Sequence, residues 1–210
     1  MNLKYVAISS ILITGIVFLT CCGNTSNRES KIVKRDTVVK DITEYRKTPQ
    51  YTKLKKDIET KAGIGSISEG FDSLQLRIWF TSPWAPDTLV ILKNSGSHWS
   101  GQLYTLQYVY DSSGQTLSAI QTTSKVATPK SGWKKLMDSL YTLNILTLPD
   151  METIPGYNIG FDGYYVGVEV ATASKYRMYT YFEPGSFQDS VWQARNIVRI
   201  SGLLHRELDF

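Results

Sequence analysis

Alternating apolar and polar positions mark the first predicted strand of the body. From residue 74 to 80 the even positions are Leu, Leu, Ile and Phe, and the odd positions are Gln, Arg and Trp. A period of two is typical of a strand with one buried face. Apolar runs at 88–93, 98–110 and 117–128 follow, separated by the turn sequences Asn94-Ser-Gly-Ser and Asp111-Ser-Ser-Gly. Successive strands joined by short turns predict an antiparallel meander.

Helical spacing replaces this alternation in other segments. One stripe of apolar residues predicts an amphipathic helix and consists of Trp133, Leu136, Met137, Leu140 and Leu143. A second helix is predicted to start at Ser186, which forms a near capping box with Asp189, and to run through Leu204 to the end of the chain. A short helix at 53–61 would turn Leu54 and Ile58 inward.

Residues 164–170 and 175–182 predict a final hairpin. With a turn at 171–175, Glu169 would lie opposite Arg177, and Tyr165 opposite Tyr181. One face would then be apolar and pack in the core: Val166, Val168, Val170, Tyr176, Met178 and Phe182. The fold class predicted from all segments is α+β, an antiparallel meandering sheet of about six strands with two amphipathic helices packed on one face.

The other face of this hairpin is the candidate binding surface. It would carry Tyr165, Glu169, Arg177, Tyr179 and Tyr181. The chain has 5 Trp and 13 Tyr residues, and exposed Tyr and Trp are favoured at protein interfaces. Two alternatives remain open: aromatic residues also favour strands for packing reasons alone, and the segment 42–67 could cover this face. The accessibility of the three tyrosine rings distinguishes these readings.

The N-terminal segment has the order of an export signal. Lys4 precedes an uncharged, largely apolar stretch, as in secretory signals. The sequence Leu19-Thr20-Cys21-Cys22-Gly23 that follows resembles the lipobox of bacterial lipoproteins. The resemblance implies lipidation of Cys22, with Cys21 as the alternative, and a domain anchored to the cell envelope outside the cytoplasm. Because Gly23 and not Asp follows, the outer membrane is expected in a Gram-negative host. An uncleaved spanning helix is the competing interpretation, since a bilayer needs roughly 20 apolar residues.

These features divide the chain into a signal peptide at 1–21, a tether at 22–40 and a single α+β domain at 41–210. Basic residues cluster in the tether and just after it, where acidic residues interleave with them. Such a stalk could bind anionic lipid head groups or act as a plain solvated spacer. The net charge is +4, and no stripe of basic residues continues into the body. Nucleic acid is therefore not an expected partner. The two cysteines are adjacent, which makes a disulfide between them unfavourable.

No catalytic motif stands out in the sequence. The histidines, His98 and His205, lie far apart, and no hydrolase elbow, zinc pair or nucleotide loop occurs. Carboxylates that flank the second half of the sheet could serve an envelope hydrolase: Asp150, Glu152, Asp162 and Glu169. They lack the spacing of a calcium loop, so neither a metal nor another cofactor is expected.

A second resemblance covers the last third of the chain. Leu148-Pro-Asp150, Gly160-Phe-Asp-Gly163, the run 164–169 and the run 176–181 are similar to a pattern in uncharacterised lipoproteins of the Bacteroidota. That group has no assigned activity, so the resemblance implies no residue roles. The sequence therefore predicts a membrane-anchored, non-enzymatic envelope lipoprotein that binds a protein or glycan partner, with an envelope hydrolase as the alternative.

Overall fold

A mixed sheet of seven strands organises the fold in the computed structural model, which describes residues 38–114, 117–158, 160 and 162–210. The strands lie in the order β1-β7-β6-β2-β3-β4-β5. All neighbouring strands are antiparallel except β1, which pairs with β7 in parallel. Their bounds are β1 Val39–Asp41, β2 Leu74–Ser82, β3 Ala85–Ser95, β4 His98–Tyr110, β5 Leu117–Val126, β6 Tyr165–Thr172 and β7 Lys175–Phe182.

The α+β class is confirmed, and the strands β2 to β5 form the predicted meander. The sheet has one strand more than expected, because β1 adds an edge strand across the predicted boundary between tether and domain. From residue 38 onwards the described residues belong to one compact unit.

Two helices cover one face of the sheet, as predicted. They are α2, Trp133–Thr142, and α4, Trp192–Leu208. Their apolar stripes pack against β2, β3 and β6 in the larger core, whose fully buried members include Leu76, Ile78, Val90, Leu136, Leu140, Val168, Ile197 and Ile200. At roughly 1.5 to 3 kcal/mol for each fully buried aliphatic side chain, this face supplies most of the hydrophobic stabilisation.

A third helix, α1, Pro49–Lys61, covers part of the opposite face. It begins earlier than predicted because Thr48 caps it, accepting a hydrogen bond from the Tyr51 amide, and Pro49 occupies the first turn. Ile58 packs against the smaller core on this side. Leu54 does not turn inward as predicted: it is 51% exposed.

The predicted start of the terminal helix at Ser186 is wrong. Ser186 lies inside a separate short helix, α3, Pro184–Phe187, and α4 begins only at Trp192. Glu183 adopts a left-handed conformation with φ of 42° before α3, and Val191 is extended before α4. The amide of Val191 closes on the Phe187 carbonyl at 2.8 Å, so the chain turns between two helices where the sequence suggested one.

The predicted register of the last hairpin is also wrong, by one residue. The turn is shorter than expected, because β6 runs to Thr172 and β7 starts at Lys175, whose amide donates to Thr172 Oγ1 at 3.1 Å. Glu169 therefore lies opposite Met178, and Arg177 lies opposite Val170. A one-residue shift moves every β7 side chain to the other face of the sheet.

Candidate functional site

The site lies on the α1 side of the sheet, where the helix covers the strands incompletely. Between α1 and strands β2, β3, β4, β6 and β7 is a cavity of about 250 Å³, called here the α1 cavity. This is slightly smaller than the usual range for ligand pockets, about 300 to 1,000 Å³. Its walls are mainly apolar and aromatic, supplied by Tyr51, Ile58, Trp79, Tyr108, Tyr165 and Met178.

Gly167 forms part of the floor of the α1 cavity. It faces α1 from β6, opposite Trp79 on β2 and Thr180 on β7. A Cβ atom added there would lie 3.5 Å from Thr180 Cγ2 and 3.6 Å from Trp79 Cβ, which is ordinary van der Waals contact. The missing side chain thus leaves space at the floor, and a small residue could enter that space without a backbone clash.

A cluster of four charges closes one end of the cavity; Glu59, Arg77 and Glu169 are buried and Lys55 is half-buried. Arg77 Nη1 lies 2.9 Å from Glu59 Oε1. Lys55 Nζ pairs with Glu59 one helical turn away and lies 3.0 Å from Glu169 Oε2. Arg77 also donates to the Gly65 carbonyl, while its Nε has no partner among the described residues. Two cations and two anions balance, as a buried ionic cluster requires.

Glu169 is the best-shielded member of this cluster, with 0% of its surface exposed. The Trp79 indole N–H donates to its Oε1 at 2.7 Å, and the Tyr176 hydroxyl donates to its Oε2 at 2.7 Å. Burial alone would raise the pKa of Glu169, but Lys55 and Arg77 together with these two donors hold the pKa below its ordinary value. Glu169 is therefore ionised at neutral pH and fixed in place.

Asp87 stands at the other end of the cavity without a cation. It is 4% exposed, and its Oδ2 accepts from the Tyr108 hydroxyl at 2.7 Å and from the Thr81 hydroxyl at 3.2 Å. Its Oδ1 receives no side-chain donor from the described residues. Burial raises the pKa of Asp87, against the opposing effect of these hydroxyls and the Ser82 amide. Since the four-charge cluster is neutral, no cation of that cluster is left over to balance the Asp87 carboxylate.

An open groove connects Asp87 with the surface. Asp87 and Tyr108 line both the α1 cavity and this groove, whose outer rim includes Pro83, Trp84 and Tyr110. Trp84 is 75% exposed. A small molecule could therefore approach Asp87 past the β2–β3 turn without unfolding of α1.

The five residues predicted as a binding surface do not share one face. Glu169 and Tyr165 line the α1 cavity. Tyr179 and Tyr181 are both 0% exposed in the helix-side core, where their hydroxyls donate to the carbonyls of Ile145 and Pro149. Arg177 also lies on that side and donates to the carbonyls of Leu146 and Leu148. The predicted exposure of Tyr179 and Tyr181 and the predicted Glu169–Arg177 pair are therefore wrong.

The carboxylates suggested for a hydrolase do not converge either. Asp150 is buried in an ion pair with Arg46 at 2.7 Å and accepts from the Thr180 amide. Glu152 and Asp162 are exposed, and neither they nor Asp150 line the α1 cavity, whereas Glu169 does. Within the described ranges, no group of three or more His, Cys, Asp or Glu side chains is arranged to hold a metal ion.

Comparisons of the chain with protein-family models, with curated proteins and with solved structures found no match. Across the part of the chain that the structure describes, no helix has the length and apolar character needed to cross a bilayer. Cys21 and Cys22, the predicted lipidation residues, lie outside the described residues.

Sequence reasoning missed Lys55, Asp87 and Gly167 as site residues. Asp87 precedes an apolar run, so it resembles a strand-end residue, and Gly167 is indistinguishable from a strand glycine with no special role. The detectable signal was Arg77, a charge in the middle of an apolar strand. A charge in that place requires a buried partner, and Glu169 on β6 is its cross-strand neighbour.

Proposed function

We propose that the protein is a non-enzymatic binding module, anchored to the cell envelope through a lipid on Cys22, and that the α1 cavity binds a small molecule. The observation that carries the proposal is a preformed apolar cavity with a buried, uncompensated Asp87 at its open end. Ligand sites generally combine apolar walls with a few placed polar groups. Keeping a buried carboxylate without a cation opposes folding, and such a cost is typical of functional sites.

The neutral ionic cluster supports binding as a scaffold. Glu169 uses both oxygens on Trp79, Tyr176 and Lys55, so the aromatic wall formed by Trp79 is held in one orientation. A rigid wall loses little conformational entropy when a ligand arrives, which favours affinity. The two cavity ends thus differ: one is structural and the other, at Asp87, is open to a ligand.

An envelope hydrolase is the alternative, and Asp87 is the residue that could serve it. A carboxyl group whose pKa is raised by burial could act as a general acid. Glycoside hydrolysis by a carboxylate pair needs a second, available carboxylate. Glu169 lines the same cavity, but its oxygens are already hydrogen-bonded and ion-paired. Binding therefore has the stronger support.

A ligand-observed NMR screen of small molecules against the full-length chain tests this proposal. The Gly167→Val variant places a side chain into the cavity floor, and Gly202→Ala is the control, because a Cβ atom at Gly202 meets nothing within 4 Å. We expect the screen to yield ligands that bind the wild type and the Gly202→Ala control but not Gly167→Val. All three proteins should still melt cooperatively. Ligands that bind Gly167→Val as well as the wild type would overturn the assignment of the site.

A further inference from the structure

Among the four carboxylates of the described residues that are at most 6% exposed, Asp87 is the one without a cation. Asp150 lies 2.7 Å from Arg46, Glu59 lies 2.9 Å from Arg77, and Glu169 lies 3.0 Å from Lys55. Asp87 receives only neutral donors, both of its side-chain hydrogen bonds falling on Oδ2. A buried carboxylate is stabilised when a cation approaches it, and here that cation must come from outside the described fold.

The aromatic walls of the cavity favour the same kind of ligand. Trp79, Tyr108 and Tyr165 line the same cavity as Asp87, and the Tyr108 hydroxyl contacts Asp87 directly. The faces of Trp and Tyr rings attract cations through their quadrupoles, most strongly where water is excluded. Lys55, the lysine that lines the cavity, is ion-paired with Glu59 and Glu169, so an anionic ligand finds no available cation there.

Resting on the proposed function, we infer that the α1 cavity selects small molecules that carry a cationic amine on an apolar body. The ammonium group lies against Asp87 at the open end, and the apolar body lies between Trp79, Tyr165 and the floor at Gly167. The cavity volume of about 250 Å³ suits a body no larger than a single aromatic ring with a short chain.

Three probes that each carry one phenyl ring and a short chain test this selectivity on the full-length chain at pH 7. They are 2-phenylethylamine, 2-phenylethanol and 3-phenylpropanoate. Their affinities are measured by competition in ligand-observed NMR. We expect the amine to bind at least about tenfold more tightly than the alcohol, since a charge-assisted hydrogen bond is roughly twice as strong as a neutral one. We expect the propanoate to bind more weakly than the alcohol.

The Asp87→Asn variant should reduce the ratio of amine to alcohol affinity to about one. The ratio is measured within one protein sample, so partial unfolding of the variant changes both affinities equally. Asp138→Asn is the control, since Asp138 is exposed on α2 and pairs with Lys134, and it should keep the wild-type ratio.

The possible outcomes distinguish a failure of the amine selectivity from a failure of the proposed function. Equal binding of all three probes, lost in Gly167→Val, would overturn the selectivity for amines and leave the α1 cavity as the binding site. An amine preference that persists in Asp87→Asn would overturn the role of Asp87. Binding of all three probes that is unaffected by Gly167→Val would overturn the proposed function itself.

Discussion

Replacing Glu169 by glutamine tests the electrostatic account of the cavity wall. Glutamine is nearly isosteric and keeps an acceptor for the Trp79 indole N–H, but it removes the negative charge that lies 3.0 Å from Lys55. Lys55 and Arg77 would then share Glu59 alone, leaving one uncompensated positive charge in a largely buried cluster. Breaking a buried ion pair costs about 3 to 5 kcal/mol. Because one hydrogen bond survives, we expect the free energy of unfolding to fall by about 3 kcal/mol, the lower end of that range. This is a large part of a typical total stability of about 5 to 15 kcal/mol.

Urea unfolding followed by tryptophan fluorescence measures this loss, with Glu152→Gln as the control. Glu152 is exposed, so its substitution should change the free energy of unfolding by less than about 0.5 kcal/mol. The double variant Lys55→Met/Glu169→Gln removes both charges and leaves the neutral Arg77–Glu59 pair. The loss of unfolding free energy in this double variant should be smaller than the sum of the losses in Lys55→Met and Glu169→Gln measured separately. Additive losses, or a Glu169→Gln loss under about 1 kcal/mol, would refute the reasoning.

The same comparison has a defined pH dependence. The folded-state pKa of Glu169 is lowered, so its ionisation stabilises the fold above the unfolded pKa, about 4.3, and this contribution is lost as the pH falls through the folded value. The stability difference between wild type and Glu169→Gln should therefore be full at pH 6 to 7 and shrink below about pH 4. A difference that stays constant across this range would show that packing and not charge accounts for the loss.

Two further predictions concern Asp87 and the anchor. Burial raises the pKa of Asp87, so its ionised form opposes folding once the pH rises above the unfolded value of about 3.9. The Asp87→Asn variant should therefore melt at a higher temperature than the wild type at pH 7 and lose that advantage near pH 3. A lower melting temperature of the variant at pH 7 would mean that the carboxylate supports the fold. Replacing both Cys21 and Cys22 by serine should release the protein from membranes in a fractionation experiment, whereas a variant of full precursor length that still resists alkaline extraction would favour the spanning-helix interpretation.

The meander and the helix-facing core were predictable because their patterns are local. Leu76 and Ile78 alternate with polar positions, and the stripe of α2 repeats at helical spacing, so each segment alone indicates its buried face. The hairpin register was not predictable in this way. Its two-residue loop, Ala173-Ser174, has no Asn-Gly or Asp-Gly signal, and tyrosines are compatible with either face. Tyr179 is buried because its hydroxyl reaches the Ile145 carbonyl, a contact 34 residues away in the chain.

The α1 cavity was not predictable for a related reason. Its ionic cluster joins α1, β2 and β6. Lys55 and Glu169 meet only in the folded protein, because strands β2 to β5 and helix α2 lie between them in the chain. The alternative that the segment 42–67 covers the tyrosines of this hairpin holds only in part: α1 lies over the face that carries Tyr165, whereas Tyr179 and Tyr181 are buried on the opposite, helix-side face. The gap that α1 leaves beside Gly167 depends on packing geometry, which the pattern of apolar positions does not record.

The most direct test of the central claim is the amide and indole NMR spectrum of the isotope-labelled full-length chain during titration with 2-phenylethylamine. The Trp79 indole N–H and the Gly167 amide report on the α1 cavity, while the amides of Leu136 and Leu140 report on the helix-side core. We expect saturable shifts at Trp79 and Gly167, unchanged signals at Leu136 and Leu140, and saturation at about tenfold higher amine concentration in Asp87→Asn. Shifts that do not saturate, or that fall on the helix side of the sheet, would contradict the claim.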